Sequence, residues 1–318
     1  MKRSVQRALW SALLALITGL ALWWVLPPGP QLWNNVLALP LTVWLWATAG
    51  LAVSYSLRAL RMRDEWASRV NMRWLDGLHL TVVHSAAINL LPMRAGEAGY
   101  PWLLHKGWQV SLIDASSSLF WLRVQDALVL CLLALMWFGP GVGPLVLGAR
   151  VALAAVLLAV LALGGKSLAA VLLARWPAEH AGRWHKLLHI GRSLLLSAAR
   201  APARGWLWSL GHWSAKIGGL AVIVASLSAQ PWLIAFGGAL AAEGASALPV
   251  SPPAGFGNYE AGVWLGLHSL GGDASAATVL GAALTAHIFA LLIGVLAAAA
   301  SPWIAPTPAS TTPRPSAP

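Results

Sequence analysis

Apolar residues in this chain fall in long unbroken runs, not in the short alternations of a water-facing fold. Six runs are long enough to cross a bilayer as helices, for which about 20 residues suffice: residues 8–26, 36–57, 113–138, 145–165, 205–228 and 275–300. Two further apolar stretches stop part-way. The first, 79–92, ends in Leu91-Pro92-Met93-Arg94-Ala95-Gly96-Glu97 and returns over 95–106. The second, 232–249, ends in Leu248-Pro249 and returns over 258–270, after Pro253, Gly255 and Gly257 and with Glu260 at its start. Paired broken segments in the two halves of a membrane chain point to a binding site near the bilayer midplane. The pattern predicts an all-α polytopic membrane protein with about six full transmembrane helices and two re-entrant helical hairpins.

Composition agrees. The chain is 58% hydrophobic and 10% charged, against about 25% charged residues in soluble domains. Net charge is +11, but the basic residues sit in short segments between apolar spans, so a nucleic-acid partner is not expected. Cys131 is the only cysteine, which excludes an intrachain disulfide and a cysteine-rich metal site. The run 8–26 ends in Trp23-Trp24-Val25-Leu26-Pro27-Pro28 without a small-x-small cleavage site, so it reads as the first transmembrane helix, not a signal peptide.

The charges also set an orientation. With the N-terminus inside, residues 2–7, the 58–77 loop and the hydrophilic 166–204 segment all face the cytoplasm; they hold three, five and seven of the 21 Lys/Arg. The predicted outer loops, 27–35, 139–144, 229–231 and 271–274, hold none. This positive-inside bias predicts a multi-pass membrane protein with both termini cytoplasmic. It also sends the two hairpins in from opposite faces, as an inverted repeat requires. Residues 1–301 then form one transmembrane domain, and the Pro/Ser/Thr/Ala-rich 302–318 tail is expected to be disordered. Within 166–204, Trp184, Leu187, Leu188, Gly191, Leu194, Leu195 and Ala198 recur at helical spacing. They predict an amphipathic helix whose basic face either meets anionic lipid head groups or serves as a cytosolic connector. Tryptophans at span ends, among them Trp23, Trp24, Trp206, Trp208 and Trp303, fit interfacial belts.

Ionisable residues at membrane depth are costly and are functional candidates by default. Arg94 and Glu97 lie at the first break. They could hold a lipid phosphate with the help of a helix dipole, or simply pair with each other. Arg123 and Asp126 share one face of a span at i, i+3. They close a local ion pair, or reach Glu97 and Arg94 in a wider network. Glu260, with Gly255 and Gly257, marks the second break as a proton- or cation-coupling carboxylate, a counter-charge, or a helix-start acid. Lys216 and Glu243 fall mid-segment and read as a structural pair. His84 and His287, within apolar stretches, could carry protons or make interhelical hydrogen bonds. His185 and His189 lack a third ligand, so neither a metal nor any other cofactor is expected, and no catalytic motif occurs.

Leu91-Pro92-x-Arg94-x-Gly96-Glu97, Arg123-x-x-Asp126, and Leu248-Pro249 followed by Pro253-x-Gly255-x-Gly257-x-x-Glu260 resemble, in order and spacing, the lysylphosphatidylglycerol synthase transmembrane family, also called flippase-like. The resemblance spans about residues 5–300. That family includes the lipid-flipping membrane half of multiple peptide resistance factor and proteins linked to hopanoid transport. It implies a central lipid cavity between the hairpins, lined by Arg94, Glu97, Arg123, Asp126 and Glu260. The chain departs from the family at Tyr100-Pro101, where a basic residue is expected. It shows no soluble aminoacyl-transferase domain, so lipid aminoacylation is not expected. The sequence therefore suggests a non-enzymatic translocator of a lipid or lipid-linked molecule with an anionic head group. The alternatives are a scaffold of an envelope-lipid biosynthesis complex, which would bring a homo-oligomer or a biosynthetic partner, and a membrane-embedded lipid-modifying enzyme.

Overall fold

The computed structural model describes residues 29–138, 144–175, 185–247 and 252–304. The predicted helix 8–26 and its Trp23 and Trp24 lie outside the described residues. Among the described residues every regular element is helical: α1 Gly29–Leu37, α2 Leu41–Trp66, α3 Trp74–Leu90, a 3₁₀ segment Pro92–Ala98, α4 Gly99–Trp108, α5 Leu112–Trp137 and α6 Pro144–Ala174. After these come α7 His185–Arg200, α8 Arg204–Ser228, α9 Trp232–Ser246, a 3₁₀ turn Pro253–Gly255, α10 Asn258–Ser269 and α11 Ala276–Ile304. Four of them, α5, α6, α8 and α11, are long and apolar enough to cross a membrane.

Several boundaries differ from the sequence expectation. The uncharged turn expected over 27–35 is helical from Gly29, and Pro40, which disfavours helix in the residue before it, separates α1 from α2. The first part of the expected 58–77 loop is helix: α2 continues to Trp66 because Arg, Met, Leu and Glu are good helix formers and no breaker intervenes. Likewise α6 absorbs the first nine residues of the 166–204 segment, an Ala/Leu-rich continuation in which Lys166 is the only charge. Helix α11 takes in the first residues of the expected tail, ending at Ile304.

The chain packs as two compact units, each assembled from separate stretches. Among the described residues, the first comprises 29–55, 82–97, 212–247 and 252–300, and the second 56–81, 98–138, 144–175, 185–211 and 301–304. In the first unit, α9 and α10 form an antiparallel pair at very close range. Gly262 and Gly266 of α10 lie against Ala242 and Ala241 of α9, and Gly238 lies against Val263. Small residues of this kind let helix backbones approach and gain van der Waals contact where lipid supplies no hydrophobic drive. Trp44 packs on Phe289 at 5.1 Å between ring centroids.

The second unit is built on Met62, Trp66, Met72, Leu80, Tyr100, Leu104, Val110, Ala115 and Leu122. This core joins the polar end of α2 to α3, α4 and the first half of α5. A hydrogen-bonded string threads it: Trp66 Nε1 donates to the Tyr100 hydroxyl at 2.9 Å, and Ser118 Oγ lies 3.4 Å from that hydroxyl. Ser118 also donates to Glu65 at 2.9 Å. Helix α7 packs on α5 and α6 through Ser193, Ser197 and Ala198, with Ser193 Oγ donating to Asp114 at 3.0 Å. Of the face expected to be apolar, Leu194 and Leu195 are only half-buried. Of the expected belt tryptophans, Trp206 is internal and Trp208 is half-buried. Trp206 is buried edge-on to Trp121, and Trp208 Nε1 donates to Asp64 at 2.9 Å.

Candidate functional site

The second break is built from strained backbone. Helix α9 stops at Ser246, and the chain turns through Ala254, Gly255 and Gly257, with φ of 57°, 81° and 85°. Glycine tolerates such values and alanine does not, because its Cβ crowds the carbonyl. The turn delivers Glu260 to the third position of α10, where its carboxylate accepts the Gly257 N–H. That is the reach-back of a helix capping box. Glu260 is 1% exposed. Its other oxygen meets His287 Nδ1 of α11 at 2.7 Å, and His287 Nε2 meets the Ala254 carbonyl at 3.0 Å. The Tyr259 ring stacks on the imidazole at 4.5 Å between centroids, with Phe256 at 4.8 Å. One histidine thus ties both ends of the break to α11.

Beside it, Lys216 of α8 donates to Glu243 of α9 at 2.7 Å, as the sequence suggested. The second oxygen of Glu243 and the Tyr259 hydroxyl are both buried without a hydrogen-bond partner among the described residues.

The first break has a related construction. Pro92 ends α3, and the 3₁₀ segment folds back so tightly that a Cβ on Gly96 would lie 2.2 Å from the backbone carbonyl of Ala87. Only glycine permits that approach. Glu97 follows, with Oε2 at 3.4 Å from His84 Nε2 of α3. Arg94 lies in this segment, and its side chain falls outside the described residues. Both breaks therefore place a glutamate against a histidine from an adjoining helix. The sequence marks all four residues as candidates but does not pair them. The available signal was that each histidine is an ionisable residue inside an otherwise apolar stretch.

Arg123 and Asp126 belong to the second unit. They form the local i, i+3 contact, at 3.8 Å, but the nearer cation to Asp126 is Arg61. Arg61 is 2% exposed and donates to Asp126 at 2.6 Å, to Gln125 Oε1 at 2.9 Å and to the Leu122 carbonyl at 2.9 Å. Ser209 of α8 also donates to Asp126, at 2.8 Å. Asp64, one turn along α2 from Arg61, takes Arg204 as well as Trp208. Arg61 and Asp64 are both buried, whereas the sequence pattern places both in a solvated loop. Past the end of α2, Arg69 stacks on the Trp66 ring at 3.9 Å, and burial lowers its guanidinium from the ordinary value against the pull of Glu65.

Helices of this length and composition, carrying buried ion pairs and two charged breaks, define a multi-pass membrane protein. A family model described as the lysylphosphatidylglycerol synthase TM region matches residues 8–298. The chain belongs to that family, as the motifs of both breaks suggested. No curated protein and no solved structure matches it significantly.

Proposed function

We propose that this protein moves a lipid or lipid-linked molecule with an anionic head group between membrane leaflets, acting as a translocator and not as an enzyme. The observation that carries this reading is the pair of breaks. Each is an apolar segment interrupted by a glycine-dependent turn that ends in a glutamate held by a histidine. Irregular backbone at membrane depth is tolerated only against protein or a water-lined cavity. Half-helix ends around such a cavity suit an anionic head group. In this reading the breaks are re-entrant hairpins entering from opposite faces among about six spans, in the bacterial inner membrane with both termini cytoplasmic. Arg94 and Arg123 attract the head group, and Glu97, Asp126 and Glu260 balance its charge. Arg123 suits this role better than Arg61, its side chain being 31% exposed against 3%.

The test is a proteoliposome assay that follows fluorescent anionic and neutral lipids between leaflets, comparing wild type with Arg94→Ala and Arg123→Ala. Head-group-dependent movement that both substitutions abolish is expected. If folded protein moves none of a broad lipid panel, the translocator gives way to a scaffold of an envelope-lipid biosynthesis complex or to a lipid-modifying enzyme.

A further inference from the structure

The contacts of His287 fix how many protons the second break holds. A backbone carbonyl can only accept, so the 3.0 Å contact to Ala254 requires Nε2 to carry a hydrogen. The 2.7 Å contact between Nδ1 and Glu260 then needs one proton in that bond, whichever atom bears it. The remaining Glu260 oxygen is taken by the Gly257 N–H.

Removing the proton sets an imidazole lone pair against a carboxylate. Changing tautomer to avoid this sets the lone pair against the Ala254 carbonyl instead. Adding a second proton puts two hydrogens into one contact, or forces the carboxyl off Gly257. Every other proton count therefore breaks a link between the 254–257 turn and α11. That turn holds Ala254 in the left-handed region at φ 57°, which costs an alanine free energy, so it has conformational cause to leave when a link is lost.

We propose that Glu260 and His287 form a binding site for a single exchangeable proton, and that its occupancy latches the second break to α11. In the transport reading of the preceding section, on which only this coupling step rests, proton loss frees the turn to move with the head group. Tyr259 stacks on His287 from α10. Glu243 is matched by Lys216 of α8 at 2.7 Å.

Glu260→Gln separates proton binding from folding. A glutamine amide can donate to Nδ1 while its oxygen accepts from Gly257, so this variant copies the one-proton state and cannot lose the proton. Hydrogen exchange of peptides covering 252–260 is followed in the purified full chain from about pH 5 to about pH 9, a range that brackets histidine titration, after correction for intrinsic exchange. Wild type is expected to lose protection there by at least about tenfold as the proton leaves, a change of about 1.4 kcal/mol in local opening. Glu260→Gln should not lose protection as the pH rises. Wild-type protection independent of pH overturns the proposal, as does an equal pH dependence in the variant. In proteoliposomes, an imposed proton gradient should speed lipid movement by wild type and not by Glu260→Gln. A latch that titrates in a protein that moves no lipid would sink the transport reading and leave the proton site standing. Movement that ignores the gradient would remove the coupling.

Discussion

Ala254 and Gly257 are opposite residue choices at two positive-φ positions of one turn. Ala254 sits at φ 57°, ψ 6°, in the left-handed region that costs an L-residue with a Cβ about 1–2 kcal/mol, whereas Gly257 sits at φ 85°, ψ −50°, outside that region and open to glycine. Glycine removes that cost at the price of about 0.5–1 kcal/mol of chain entropy. Ala254→Gly is therefore expected to be neutral or to stabilise by up to about 1 kcal/mol, while Gly257→Ala loses about 1–2 kcal/mol. Neither substitution deletes a hydrogen-bonding group, since His287 uses the Ala254 carbonyl and Glu260 the Gly257 N–H. Thermal unfolding in detergent reads both, and equal destabilisation would show that the turn is not held in this conformation. The sequence made Gly255, Gly257 and Glu260 visible because glycine before an acid has few other uses at the end of an apolar run. It could not show Ala254, whose left-handed conformation is imposed by its neighbours and leaves no trace in residue type.

Among helices, legibility followed apolar length. The ends of α5, α8, α9 and α10 fall within three residues of where the apolar runs placed them, because turn residues or charges bound each one. The polar end of α2 was lost for a physical reason. A buried arginine and an exposed one have the same local pattern, and only the partner on another helix distinguishes them. Arg61 is such a case, meeting Asp126 about 14 residues into α5, or about 21 Å along its axis. Two charges at that depth are tolerable only as a pair. Arg61→Met should cost about 3 kcal/mol, at the lower end for a broken buried pair, because Ser209 and Arg123 still face the carboxylate. Joining it to Asp126→Leu should restore much of the loss, since apolar side chains replace both desolvated charges. Apparent melting temperatures of the two single variants and the double variant test this cycle. Additive losses would mean that the two residues are held independently.

For the whole molecule, the sequence was most informative where charge and apolar length acted together. Lys and Arg resist transfer to the outer face, and the cytoplasmic surface potential favours each basic residue by about 1 kcal/mol. Arg192 on α7 and Ser275, just before α11, are both exposed and provide opposite probes of that asymmetry. The chain's single cysteine, Cys131, makes the experiment clean once it is replaced by alanine. In that background, Ser275→Cys is expected to react with a membrane-impermeant maleimide on intact cells, and Arg192→Cys only after permeabilisation. The basic α7 has little alternative, because Ser193 and Asp114 fasten it to the start of α5, so the side that labels Arg192→Cys also gives the side on which α5 begins. Labelling of Arg192→Cys from outside would invert the topology and exchange the faces from which the two breaks are entered. The proton held by Glu260 and His287 would then exchange with the opposite compartment, and the direction of any gradient-driven lipid movement would reverse with it.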